Sequence, residues 1–152
     1  MNVTYAEDLP YWQTNKSPPD IWIERTVKVL EALGGKMLGE AFGKDASGRS
    51  AFMLSASIAG EVYRAIWPVM LSKTGNEKSA RIQAATLLYH DIKARAVSAK
   101  VLGNRAAFFT YLQLPDGRTP VEMSTEEVSQ ALRLFALPAN SSEDIIDGEV
   151  LP

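Results

Sequence analysis

The sequence predicts an α+β domain, with an antiparallel sheet of three or more strands packed against one long helix and two shorter ones. Three observations carry this. Phe52, Leu54, Ala56 and Ile58 alternate with Met53, Ser55 and Ser57, the period-two signature of a strand covered on one face. From Glu77 to Leu102 there is no Gly or Pro but many alanines, enough for about seven helical turns. The composition, 46% apolar and 22% charged over 152 residues, suits a chain that builds a real core.

Taken in order, residues 1–17 are polar, aromatic-dotted and aperiodic, and read as an N-terminal arm rather than an element. Pro18-Pro19-Asp20 suits a helix start, because proline tolerates the first turn and an acid favours the positive end of the dipole. Ile23, Val27, Leu30 and Leu33 follow at helical spacing, and Gly34-Gly35 supplies the stop. Lys36 to Lys44 reads as a strand whose Gly39 and Gly43 suggest a bulge or a close backbone approach. Asp45-Ala46-Ser47-Gly48 is turn chemistry, and Ala59-Gly60-Glu61 is a hairpin connection into a return strand that runs from Val62 and ends at Pro68. A three-stranded meander follows.

Leu71 to Gly75 reads as a loop, Asn76 as the cap of the long helix, and Gly103-Asn104 as its end. Ala106 to Leu114 is either strand-like or a short helix, and Leu114-Pro115-Asp116-Gly117 is a turn. Ser124 with Glu127 forms a capping box for a last helix through Phe135. The domain is therefore expected over 18–137, with an acidic flexible tail over 138–152.

Composition removes several function classes. No stretch approaches the roughly 20 apolar residues that cross a bilayer. The first ten residues lack the basic and apolar regions of a secretory signal, so the expected address is cytoplasmic. With no cysteine there is no thiolate metal site and no thiol nucleophile. His90 is the single histidine, so no two-histidine zinc spacing exists. Its neighbour Asp91 points about 100° away on a helix, which denies the pair a ready-made dyad. Glu40, Asp45, Glu61, Glu126 and Glu127 are scattered, and no glycine-rich run is followed by Lys-Ser/Thr as in a phosphate loop. No catalytic residue, metal site or cofactor is expected, and the chain is read as a non-enzyme.

The net charge of −2 conceals an uneven distribution. Residues 73–105 carry Lys73, Lys78, Arg81, Lys93, Arg95, Lys100 and Arg105 against only Glu77 and Asp91, a balance of +5. Residues 106–152 carry Arg118 and Arg133 against eight acids, a balance of −6. Arg64 stands between Tyr63 and Trp67 on the return strand. Lysine and arginine neutralise phosphates and release counterions, and exposed aromatic rings stack on unpaired bases. Tyr63, Trp67, Phe108 and Phe109 are expected chiefly in the core. The cations of residues 73–105, with Arg64 on the sheet, are expected to gather into one polyanion-attracting furrow.

A helix, a hairpin-rich sheet and a long helix with a basic flank form the order of the single-strand annealing proteins. The stretch from Ala84 to Pro115 resembles that superfamily, including its phage Erf-type members. The resemblance is densest in Asp91-Ile92-Lys93-Ala94-Arg95-Ala96-Val97 and in Arg105-Ala106-Ala107-Phe108-Phe109-Thr110-Tyr111-Leu112-Gln113-Leu114-Pro115. It implies a ring or filament of subunits holding single-stranded DNA in a basic groove, with Arg64, Lys93, Arg95 and Arg105 on phosphates.

The expected function is thus single-stranded DNA binding of an annealing, recombination or repair type. The candidate contacts are Arg64, Lys73, Lys78, Arg81, Lys93, Arg95, Lys100 and Arg105. Homo-oligomerisation is expected, and Glu143, Asp144, Asp147 and Glu149 are expected to compete for the basic surface or recruit a protein partner. The competing reading is a phage or bacterial protein-interaction module, an adaptor or inhibitor, whose cations meet a partner's acidic patch.

Overall fold

Pro19 occupies the first position of a helix, where its missing N–H leaves nothing unsatisfied, and that helix, α1, runs Pro19–Ala32. The computed structural model describes residues 3–123. After α1 come β1 (Lys36–Lys44), β2 (Ser50–Ile58), β3 (Glu61–Pro68), α2 (Glu77–Leu102) and a single helical turn, α3 (Asn104–Ala107). The fold is α+β, a three-stranded antiparallel sheet with one long helix and two shorter ones. The second short helix is α3. The helix expected over Ser124–Phe135 and the acidic tail lie outside the described residues.

The chain divides into two compact units, Met1–Leu112 and Gln113–Pro152. In the second, the Gly117 N–H closes the expected turn on the Leu114 carbonyl at 2.8 Å. Beyond it Pro120–Glu122 forms a 3-10 turn, at whose start the Thr119 N–H donates to the Glu122 carboxylate at 2.8 Å.

The sheet order is β1-β2-β3, so each hairpin joins neighbours. Between β2 and β3 the two-residue turn Ala59-Gly60 has both φ angles positive, 52° and 84°, and Ile58 pairs with Glu61 across it. That twist matches the strands; glycine adopts it freely, while alanine is strained there. Between β1 and β2 the Asp45 carboxylate accepts from the Ser47 hydroxyl (2.6 Å) and from the backbone N–H groups of Ser47 and Arg49 (both 2.9 Å). The Ser47 hydroxyl first, then the Arg49 N–H, holds that carboxyl below the usual range. The glycine signal in β1 marks a bulge, for the register slips between Met37 and Gly39 and leaves Leu38 extra.

One face of the sheet carries the core. Leu54, Ala56, Tyr63 and Ala65 surround a tiny void with Leu30 of α1, Ile92 of α2, and Phe108 and Tyr111 beyond α3. Phe108 is wholly buried, and the Tyr63 ring meets it edge-on at 5.8 Å. The stretch Ala106 to Leu114 begins with the end of α3 and a 3-10 turn over Phe109–Tyr111, and Leu112 adds a lone antiparallel bridge to Tyr63. In α2 the residues Ile82 to Thr86 are buried in unbroken succession, which no single helix face can accommodate. The first half of α2 is therefore enclosed from several sides, whereas in the second half only the Ile92-Ala96-Ala99 stripe is buried.

Part of that enclosure comes from the N-terminal arm, which is ordered against the domain rather than structureless. Ala6 is completely buried, and its N–H donates to the Leu71 carbonyl at 2.8 Å. The Gln83 side-chain amide donates to the carbonyls of Ala6 (2.7 Å), Pro10 (3.0 Å) and Leu9 (3.3 Å). Aperiodic polar sequence gave no sign of this, because the arm is held by hydrogen bonds and not by an apolar stripe. Among the described residues no helix is long and apolar enough to cross a membrane.

Candidate nucleic-acid interface

The eight cations singled out from the sequence do not form one furrow. Arg64 lies on β3 opposite Ser55, on the sheet face turned away from α1 and α2, because its parity is opposite to that of Tyr63 and Ala65. Lys73 ties down the arm: its ammonium meets Asp8 at 3.1 Å and its backbone N–H donates to Glu7 at 2.9 Å. Arg81 pairs with Glu77 one turn earlier at 3.1 Å and caps the Phe42 ring at 4.8 Å. Arg95 pairs with Asp91 at 2.9 Å, donates to the Ala107 carbonyl at 3.1 Å and lies over the Tyr111 ring. Arg105 grips Glu61 with its guanidinium, at 2.6 Å in the shortest contact.

These pairings are structural. Arg95 and Tyr111 share Asp91, and burial, then the hydrogen bond to that carboxylate, pushes the Tyr111 hydroxyl well above its usual range. Burial, then Glu61, likewise pushes Tyr63 up to about 12. The spacing of residues 91–111 shows that cations are present but not which carboxylate each will meet, since Glu61 and Arg105 are separated in sequence by the rest of β3 and the whole of α2.

Lys78, Lys93 and Lys100 remain. All three are exposed, and none has an ion pair among the described residues. At about 100° per residue they fall within roughly 60° of one another around α2. Lys93 and Lys100 are about 10 Å apart along the axis. Between them Val97 is 61% exposed, and Val101 beside them is 82% exposed.

Lys93 leads to a feature that the sequence reading did not assemble. Its ammonium stands over the Tyr89 ring at 5.7 Å, and Tyr89 packs against Trp22 of α1 at 5.4 Å. The Arg25 guanidinium covers Trp22 from the other side at 4.6 Å. His90 joins from within, its ring stacked on Tyr11 at 4.5 Å and only 9° from parallel, with Tyr89 edge-on at 5.1 Å. Trp22 Nε1 donates to Asn15 at 3.1 Å, which fixes the indole. Trp22, Tyr89, His90 and Tyr11 are half-buried, while Arg25 and Lys93 are exposed.

The result is a continuous strip, Arg25–Trp22–Tyr89–Lys93, extended along α2 by Val97 and Lys100. Half-buried rings beside exposed cations that have no ion pair among the described residues can stack on planar groups and meet anions together once the cations swing off the rings. Each half of the strip was visible as a one-turn spacing, Trp22 with Arg25 and Tyr89 with Lys93. What joins them is the packing of α1 on α2. Of the four rings expected chiefly in the core, Tyr63 and Phe108 are there, at 4% and 0% exposure, whereas Trp67 and Phe109 are half-buried. Among the described residues no group of His, Asp and Glu is arranged to hold a metal ion. No protein-family model, no curated protein and no solved structure matches the chain.

Proposed function

We propose that the chain is a non-catalytic single-stranded DNA-binding protein of the annealing, recombination or repair type, acting in the cytoplasm through the strip along α1 and α2. The observation that carries this reading is the row of half-exposed rings, Trp22 and Tyr89, flanked by Arg25 and Lys93 and continued by Lys100. Unpaired bases stack on the rings and the phosphates between them meet the cations. The contact set is smaller than the eight residues expected from sequence: it keeps Lys93 and Lys100, takes Lys78 as a peripheral contact, and adds Arg25.

A labelled oligothymidylate followed by fluorescence anisotropy tests this. The double variant Arg25→Glu/Lys93→Glu is expected to lose roughly tenfold or more in affinity, and Trp22→Ala or Tyr89→Ala about 1–3 kcal/mol each. Three or four phosphate contacts predict a slope of roughly −2 to −3 in log affinity against log salt. Duplex DNA of the same length is expected to bind more weakly, because its bases are already stacked. Undiminished binding by the double variant, or equal affinity for duplex, rejects the strip.

A further inference from the structure

The opposite side of α1 bears a surface of different character. At about 100° per residue, Asp20, Ile23, Glu24 and Val27 lie roughly opposite Trp22 and Arg25. They face β1 across a groove of ≈ 320 Å³ whose other wall includes Glu40 and Phe42. The groove is open because α1 packs mainly on α2 and only lightly on β1. Asp20, Glu24 and Glu40 have no ion pair or hydrogen-bonded side-chain partner among the described residues.

β1 is also an edge strand. It pairs with β2 on one side and with no described strand on the other, so a row of backbone N–H and C=O groups is presented outward. Leu38 and Phe42 are 53% and 42% exposed on it. On the face away from α1, β1 carries Lys36 at its start and then only Gly39, Ala41 and Gly43, and a Cβ built at either glycine meets nothing within 4 Å.

We propose that β1 and this groove form a docking site for an extended basic segment of a partner protein, which adds to the sheet as a fourth strand. Strand addition supplies backbone hydrogen bonds, and its period of two supplies selectivity. Alternate Lys or Arg side chains lay their aliphatic stems over Ile23 and Val27, beside the Phe42 ring that Arg81 covers, and bring their charged heads to Asp20, Glu24 and Glu40. The intervening side chains lie over Gly39, Ala41 and Gly43, where there is room for bulk. Charge decides against a second copy, because antiparallel two-fold pairing of β1 with itself sets one acidic groove beside another.

The probe is a fluorescein-labelled octapeptide of alternating Lys and Tyr, titrated into the full chain. Controls are the alternating Glu-Tyr peptide and two N-methylated Lys-Tyr peptides, blocked at odd or at even positions. Binding is expected for Lys-Tyr, not for Glu-Tyr, with one of the two N-methylated peptides inactive because only one backbone edge faces β1. Glu24→Gln/Glu40→Gln is expected to weaken binding tenfold or more while its circular dichroism and its oligothymidylate affinity stay unchanged. Absence of binding overturns the proposal, as does loss on Glu143→Gln/Asp144→Asn instead of the groove variant. So does concentration-dependent self-association that the peptide cannot displace and Glu40→Lys abolishes, which assigns the edge to a second copy.

Discussion

Gln83 is 1% exposed, and its amide nitrogen faces three arm carbonyls although it carries only two hydrogens, so one is shared. Replacing it by Leu leaves buried acceptors unmet, at an expected loss of about 1–3 kcal/mol in urea unfolding. Gln83→Glu is expected to be worse, because acceptors then face acceptors. Both variants should release the arm, read as faster tryptic cleavage after the exposed Lys16. Two glycines make a second contrast. A Cβ at Gly35 would stand 2.6 Å from the Leu30 carbonyl oxygen, so Gly35→Ala is expected to lose about 1–3 kcal/mol. At Gly43 nothing lies within 4 Å, and Gly43→Ala should stabilise by about 0.4–1 kcal/mol through the unfolded chain. Thermal unfolding of the pair shows whether the signs differ.

The arm is the element whose attachment depends most clearly on pH. Asp8 is held below its ordinary value of 3.8 by the Tyr5 backbone N–H and then Lys73. Glu7 is held below 4.5; partial desolvation opposes this, but the Ser72 hydroxyl and the Lys73 backbone N–H outweigh it. Lowered carboxyl values mean stabilisation that is present above the unfolded values and lost as pH falls through the folded ones. The arm is therefore expected to stay docked above about pH 5 and to loosen below about pH 4, seen as a lower protection factor of the Ala6 amide against its intrinsic exchange rate at each pH. An Ala6 protection factor that is the same above about pH 5 and well below about pH 4 contradicts this account. The sequence read other elements well: the bounds of β1 and of α2 and the Asn76 cap rest on local backbone chemistry, as does the hairpin at Ala59-Gly60, where only Glu61 moves from the turn into β3. It misread the arm because a carbonyl that accepts from Gln83 leaves no mark on its own residue type.

At the scale of the molecule, charge is sorted by packing. The cations of residues 73–105 divide into those that bind the fold together and those that face outward. Arg95→Ala, which strips Asp91, the Ala107 carbonyl and the Tyr111 ring of one partner, should cost about 1.5–3 kcal/mol of stability. Lys93→Ala should change stability by less than about 0.5 kcal/mol and yet reduce oligonucleotide affinity. Denaturation and anisotropy on the same two proteins separate structural from binding cations. An Arg95 variant that folds as well as the parent removes the distinction.

Fold class, strand alternation, the long helix and the presence of surplus positive charge were all written in the chain, because each depends on neighbours within a turn or a hairpin. The destination of that charge was not. Whether Arg105 meets a phosphate or Glu61, and whether Trp22 comes beside Tyr89, depends on which distant segments the core brings together, and that is decided only when α1, α2 and the sheet close on one another.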